Sequence, residues 1–454
     1  MRDRELGRLG PDIDVVVDDD PSTVAAAVAH RLDLPWFPLS REWGAYRVVG
    51  SPGHLDVAAL RGGSLAADLS LRDFTVNAMA LPVEGGPLVD PFEGRRDLSE
   101  RRLVAVSRRV FVDDPLRLMR AVRLAHTLEL GIDPALATLI QKDAWRLTGA
   151  AAERVLSEVI STLSVGRSAA AVCSWASLRL LDVFLPELKA LHGVGQSPYH
   201  HRDVWGHTLA ALEEMDVMLA APGARFGSSW QTLEARLVLP IDGVMPRPVA
   251  LRLAALLHDV AKPLTKVVDA EGRILFWGHT ELGGPMAQEV CRRLRCSRAA
   301  TSLVRRTVER HLDVGFLQHE TPLSRRSAVG YLWATAPYEP EAILVSVADR
   351  LATRGPRTEE KHLTRHLAVA HALMDAWSER ESRGIPPLPV HGEEVMGALD
   401  LPPGPLLGRV MREVALAWES GEVTDANDAL AAARRYLQRL REPVAGDDAA
   451  DAPS

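Results

Sequence analysis

In the stretch GPDIDVVVDDD, Asp12 and Asp14 flank one apolar residue and lead into three valines. Alternate residues of a strand share a face, so this D-x-D presents two carboxylates together at the lip of a β-branched strand. Paired hard oxygen ligands suit Mg²⁺, which in phosphoryl chemistry takes one or two carboxylates plus substrate phosphates. A solvated strand end is the competing reading of D-x-D alone. Asp18, Asp19 and Asp20 read as a turn and helix cap before PSTVAAAV. Further on, Asp56 stands inside the strand-like HLDVAALR, ahead of Arg61. A third carboxylate of the same site and a structural or solvated acid both fit it.

A second set of chemistry-bearing residues is histidine-rich. HHRDVWGHTLAAL, LAALLHDVAKP, FWGHTELG, RRTVERHLDVG and VSVADRLATRG follow one another between about Pro198 and Ala376. The His258-Asp259 pair on an apolar helix is costly to bury unless a metal or hydrogen bonds satisfy it. Neutral imidazoles with carboxylates bind divalent transition metals well. A row of satisfied core histidines is the alternative, and His200 and His201 fit either reading. In DDPLR, Asp114 and Arg117 lie three apart at a helix start, which predicts one shared face. A carboxylate accepts from an exocyclic amino group while a guanidinium donates to ring acceptors, the edge that cytosine and adenine display. A surface ion pair is the bland alternative.

These residues need elements to hold them. Residues 1 to about 80 alternate strand signals (DIDVVV, AYRVVG, HLDVAAL) with the helix-like PSTVAAAVAHRL, an α/β texture. PVEGGPLVDPFEGRRD is turn-rich. Helical periodicity then takes over, as in Leu118, Val122, Ala125 and Leu128. The Pro/Gly-rich ESRGIPPLPVHG separates a last helical piece, and PVAGDDAADAPS reads as a disordered tail. A chain of 454 residues holds two or three cores, and 47% hydrophobic with 25% charged residues is ordinary for a soluble globular protein. The net charge of −7 excludes a wholly basic nucleic-acid coat, though not RNA binding by a local basic face. Cys173, Cys291 and Cys296 build neither a disulfide framework nor a C-x-x-C zinc site. With no leader and no bilayer-length apolar run, the expected place is the cytoplasm, without membrane contact.

Taken in order, DID, HLDVAALR, LRDFTVNAMAL (residues 71–81), LVDPFEGRRDL and DDPLRLMRAVRLA resemble the class II tRNA nucleotidyltransferase and bacterial poly(A) polymerase family. The family's motifs run G-G-x-V-R-D, D-x-D, R-R-D-F-T-x-N-A and E-D-P-x-R-x-x-R-A-x-R-F-A. The resemblance implies an α+β fold: a small polymerase-β-like nucleotidyltransferase α/β head, then a mostly α-helical neck, body and tail. It gives Asp12 and Asp14 the Mg²⁺ role, with Asp56 as candidate third acid. Nucleotide contact falls to Arg72, Asp73 and Asn77, base reading to Asp114 and Arg117, and further nucleotide contact to Arg120 and Arg123. Met1-Arg2-Asp3 stands where V-R-D is usual, so the head reads as N-terminally incomplete, its first strand and Gly-Gly turn missing. Leu71 replaces the first Arg of the usual pair. ALRGGSLAADLSLRDF also leaves only a few residues for the flexible segment of full CCA-adding enzymes, whose loss marks enzymes that add two cytidines and stop.

The histidine region resembles the HD phosphohydrolase superfamily, patterned H…HD…D. This implies His207, His258, Asp259 and Asp349 as ligands of a divalent transition metal, His279 and His311 as additional ligands, and Lys262 near phosphate. The domains expected are a head (1–80), a neck for base and RNA binding (81–190), an HD domain (191–380), a tRNA-contact element (381–442) and a disordered tail (443–454). The implied activity is tRNA 3′-end nucleotide addition, CC or full CCA, from CTP and ATP without a nucleic-acid template. The partners are tRNA and these nucleotides, not DNA. Two alternatives are an HD phosphohydrolase with a degenerate head and a poly(A) polymerase, the latter disfavoured by the acidic tail.

Overall fold

The computed structural model describes residues 1–441 apart from 9, 11, 41–43, 52, 222 and 321. The segment read as a disordered tail lies outside the described residues. The chain divides into two compact units between Pro186 and Glu187.

The first unit carries a four-stranded sheet of order β1-β4-β3-β2, with β1 Ile13–Val17, β2 Trp36–Ser40, β3 Ala45–Val49 and β4 His54–Ala59. Strand β1 runs parallel to β4, while β3 is antiparallel to both β4 and β2. Period-two alternation sorts the side chains. Val17, Val48, Leu55 and Val57 pack with Ala25 and Ala29 of the helix Pro21–Leu32, so the acids of β1 and β4 fall on the opposite face. Asp20 caps that helix as predicted, accepting from the backbone N–H groups of Ser22 and Thr23. Hydrogen bonds from the Ser22 and Thr23 hydroxyls, with a smaller contribution from those two N–H groups, lower its pKa to about 2.

The RDFTVNA motif sits on a 3₁₀ turn, Thr75–Asn77, clamped by the helix Gly94–Ser99. Thr75 Oγ1 donates to buried Asp97 at 2.7 Å, and Asp90 accepts from the Gly94 and Arg95 N–H groups at 2.7 and 2.9 Å. A Cβ on Gly94 would lie 2.1 Å from the Thr75 carbonyl oxygen, so backbone meets backbone there. Gly94→Ala is expected to cost roughly 3 kcal/mol, the upper range for forced overpacking. A thermal melt equal to the wild type's would contradict this close approach.

The neck places Leu118, Val122, Ala125 and Leu128 of the helix Arg117–Leu128 in the core, as their spacing predicts. In the second unit two helices, Arg247–Leu257 and Glu339–Ala352, are buried nearly all round. Such helices lie at the centre of a helical body, and their charged residues need partners. Arg252 pairs with Asp216 at 2.6 Å, and Arg247 with Glu341 at 2.5 Å. The last three helices, Gly392–Leu399, Pro405–Glu419 and Ala426–Arg441, close over their own core of Val395, Val410, Val414, Ala429 and Ala433. No described helix is long and apolar enough to cross a membrane.

Candidate active sites

Strand register assembles the first site. Asp14 lies beside Asp56 across the β1–β4 pair, and Asp56 lies opposite Arg47 across β4–β3. Asp12 and His54, each two residues earlier, fall on the same face, with Asp12 Oδ1 2.7 Å from His54 Nδ1. Arg47 grips Asp56 with two bonds of 2.8 Å, Nε to Oδ1 and Nη2 to Oδ2. Its pKa is raised first by that bond to Asp56 and further by the fields of Asp12 and Asp14, so one guanidinium feels all three acids. Asp12 and Asp14 are exposed, and among the described residues no partner holds the Asp14 carboxylate. Two hard, solvent-facing carboxylates with free lone pairs fit a Mg²⁺ that keeps its waters and takes substrate phosphates. Asp56 is committed to Arg47. Neither Arg47 nor His54 was singled out from sequence, although both share the strand parity of the acids.

The RDF motif splits. Arg72 and Arg61 both bind buried Asp68, at 3.0 and 3.1 Å. Asp73 accepts from the Phe74 N–H, from Asn77 Nδ2 at 2.9 Å and from Arg120 Nη1 at 3.2 Å, so its oxygens are occupied within the protein. Arg2 donates to Asn77 Oδ1 at 2.7 Å, drawing the chain start to this turn. Glu158, on the helix Ala152–Leu163, collects both Arg120 at 3.5 Å and Arg123 at 2.7 Å. Asn77, Asp73, Arg120 and Arg123 thus join one network, in which Glu158 is a member that sequence reasoning missed.

Asp114 and Arg117 do not share a helix face. Asp114 is extended, φ −151° and ψ 106°, because a residue preceding proline is pushed out of the helical region and Pro115 follows it. It accepts from the Leu116 N–H at 3.1 Å and from Arg154 at 2.9 Å. Arg117 donates instead to the Leu71 carbonyl at 2.9 Å, so the surface pair is not formed. Arg154, like Arg47, His54 and Glu158, was not singled out from sequence.

The second site gathers side chains from separate helices of the second unit. His207 is on Val204–Ala220, His258 and Asp259 follow Arg247–Leu257, and Asp349 is on Glu339–Ala352. His207 Nε2 lies 2.9 Å from Asp349 Oδ1 and 3.3 Å from His258 Nε2, which is 3.1 Å from Asp259 Oδ2. The other Asp259 oxygen faces His279 Nε2 at 3.7 Å and His311 Nε2 at 4.0 Å. Among the described residues, His207/His258/Asp259 and Asp259/His279/His311 are the groups able to hold a metal ion.

The donor chemistry fits a metal. The Nδ1 of His258, His279 and His311 each meets the carbonyl three residues back, at 2.7, 2.7 and 2.8 Å. A carbonyl accepts only, so each Nδ1 carries the proton and each Nε2 offers a lone pair to the centre. His279 Nε2 is buried with no hydrogen-bond partner among the described residues. Burial, then the nearby His258, brings the His311 pKa down to about 4, which keeps it neutral. Burial works against the Asp259 carboxylate, but His258 and Lys262 outweigh it and hold its pKa well below normal. Lys262 Nζ sits 2.6 Å from Asp259 Oδ2 and 2.9 Å from Gln196 Oε1. His200 is not remote: its ring lies edge-on to His207 at 4.9 Å, and burial with His207 lowers its pKa to about 3.

Three family models match in chain order: the poly A polymerase head domain over residues 1–104, the probable RNA and SrmB-binding site of polymerase A over 129–191, and the HD domain over 227–354. The A-adding tRNA nucleotidyltransferase of Deinococcus radiodurans is 32% identical, over 94% of this chain and 91% of its own. The CC-adding tRNA nucleotidyltransferase of Thermus thermophilus is 33% identical, over 95% and 91%. A solved CCA-adding enzyme with ATP superposes with a TM-score of 0.62 at 17% identity, covering 97% of this chain and 89% of that one. A nucleotidyltransferase head on a helical body with an HD motif is the class that fold and sites define. The chain belongs to the tRNA nucleotidyltransferase family.

Proposed function

We propose that the chain adds nucleotides to the 3′ end of tRNA from CTP or ATP without a nucleic-acid template, and that its HD site hydrolyses phosphate esters. The observation that carries the transfer reading is the acid face of the head, where sheet register sets Asp14 beside Asp56 and Arg47. Asp12 and Asp14 would hold Mg²⁺, which when bound neutralises the triphosphate and eases loss of the 3′-hydroxyl proton. The tRNA 3′-oxygen bonds the α-phosphorus as the bond to the departing pyrophosphate breaks. Asp56 fixes Arg47 toward the acids, as a positioning residue. Asp73, Asn77, Arg120 and Arg123 form the frame beneath the nucleotide, and Arg72 is fixed by Asp68. Asp114, oriented by Arg154, and Arg117 read the base edge.

The path between β4 and the helix Leu65–Ser70 supports CC addition. It spans residues 60–64 and turns on Gly62 and Gly63 at φ +73° and +75°. A Cβ on Gly62 would sit 2.8 Å from that of Ala67, so the turn is closed tightly. Among the described residues the cysteines form no disulfide, which agrees with a cytoplasmic setting. In the HD site His207, His258, Asp259 and Asp349, with His279 and His311, would hold a divalent transition metal, which when bound supplies an acidified water.

The test incubates the chain, and a version carrying any in-frame upstream residues, with Mg²⁺ and tRNA ending at the discriminator base. CTP, ATP or both together are supplied, and tRNA already ending in CC is tested with ATP. Two cytidines incorporated without adenosine is the expected result. No incorporation by either version overturns the transfer reading, and adenosine after CC overturns the CC restriction. Asp114→Ala is expected to lower kcat/KM for the preferred nucleotide about 10- to 100-fold, the discrimination of a lost base-edge contact. Unchanged preference between CTP and ATP in single-turnover assays would remove Asp114 from base reading.

A further inference from the structure

We infer that the groove beside the HD cluster is a nucleobase subsite built by Trp277 and Phe316, an inference that rests on the phosphohydrolase reading of that cluster. A cavity of about 800 Å³ opens there, lined among others by Lys262, Phe276, Trp277, His279, Arg310 and Phe316. It is far larger than a phosphoryl group needs and within the range that holds a small organic ligand. Its wall includes His279 and Lys262, which reach Asp259 at 3.7 and 2.6 Å, so the groove adjoins the candidate metal centre.

Two large aromatic side chains stand at this groove in water, Trp277 at 74% and Phe316 at 69% exposure. Local backbone puts them there. Gly278, at φ +75°, breaks the chain between Trp277 and the helix His279–Arg293, so His279 turns in while its neighbour but one stays out. Phe316 ends the short helix Asp313–Phe316, which begins two residues after His311. Each aromatic is therefore tethered within five residues of a candidate ligand. Phe276 is different, because Lys262 Nζ already lies over its ring at 5.2 Å. It forms wall rather than open face.

Exposed aromatic faces beside cations are the elements by which proteins hold unpaired bases next to their phosphates. Lys262 and Arg310 supply the cations. Glu281, Glu309 and Asp313 also line the groove. Glu309 is held by Arg305 at 2.7 Å and Asp313 by Arg310 at 3.3 Å, which leaves Glu281 to accept from an exocyclic amino group. The three acids together repel a polyphosphate and favour one phosphorylated nucleotide unit, free or at an RNA end. Hydrolysis there would bond a water oxygen to phosphorus as the ester P–O bond breaks, the departing alcohol taking the proton that the water releases.

The test measures the metal-loaded full chain on adenosine 2′-, 3′- and 5′-monophosphates, on a short RNA with a 3′-phosphate, and on glycerol 2-phosphate, which has no base. Equilibrium dialysis of the same nucleotides against metal-free chain is read alongside. Trp277→Ala and Phe316→Ala are each expected to lower the kcat/KM ratio of nucleotide over glycerol 2-phosphate about tenfold, and to weaken nucleotide binding similarly. RNA affected more than free nucleotide assigns the subsite to RNA ends, and the reverse to free nucleotides. An unchanged ratio with unchanged binding overturns the subsite. If wild type hydrolyses none of these esters, the phosphohydrolase reading falls, and the subsite is then decided by the dialysis difference alone.

Discussion

Asp12→Ala combined with Asp14→Ala abolishes nucleotide addition and leaves HD-site ester hydrolysis at the wild-type rate: that is the first expected result. Both carboxylates are exposed at the lip of an edge strand whose core side is formed by other residues, Val17, Val48 and Val57. Their removal takes away one solvent-facing pair, Asp12 with His54, and relieves repulsion among three neighbouring acids. The melting temperature should therefore hold, and the loss will be chemical. Removing a single preorganised electrostatic contact to a transition state costs about 10²- to 10³-fold. Losing both ligands of the ion that neutralises the triphosphate should exceed about 10⁴-fold. The measurement is single-turnover extension of tRNA, paired with hydrolysis of an adenosine monophosphate on the same preparation. Parallel loss of both activities would contradict two separate sites, and retained extension would remove Asp12 and Asp14 from catalysis.

The acids were legible because β-strand parity is local: residues two apart share a face whatever the fold around them. The Pro21–Leu32 helix and its Asp20 cap were legible for the same reason, since capping needs three neighbouring residues. Pairing partners were not. Arg47 reaches Asp56 only through β3–β4 register, and Glu158 reads as an ordinary acid until its helix meets Arg117–Leu128. β2 carries Pro38, which argues against a strand unless the strand is an edge, as this one is. The Asp114–Arg117 spacing misled for an identifiable reason: the i,i+3 rule assumes helix throughout, and Pro115 holds Asp114 extended. In the histidine region the order of motifs was legible, but the fixed tautomers were not, because the carbonyls of Ala255, Phe276 and Val308 meet the rings only through the backbone conformation of the folded chain.

Asp259→Asn is the second large effect, expected to empty the HD centre while sparing transfer. The carboxylate is shared: Oδ2 faces His207, His258 and Lys262, and Oδ1 faces His279 and His311. Removing its charge takes a ligand from both candidate metal groups at once, and neutral histidines alone bind a divalent ion more weakly. An asparagine keeps the volume, so packing against the buried helix Arg247–Leu257 should survive. Lys262 would keep Gln196 as a partner but lose its only close carboxylate among the described residues. That uncompensated ammonium should lower stability by roughly 3 kcal/mol, the cost of breaking a buried pair. Metal analysis after gel filtration is the primary readout, with the variant expected below one-tenth of wild-type occupancy and ester hydrolysis lost in proportion. Extension of tRNA by the head should continue within about twofold, since its acids lie in the other unit. Full metal occupancy in the variant would show that Asp259 is a structural carboxylate held by Lys262, and the six-residue ligand set would have to be redrawn without it.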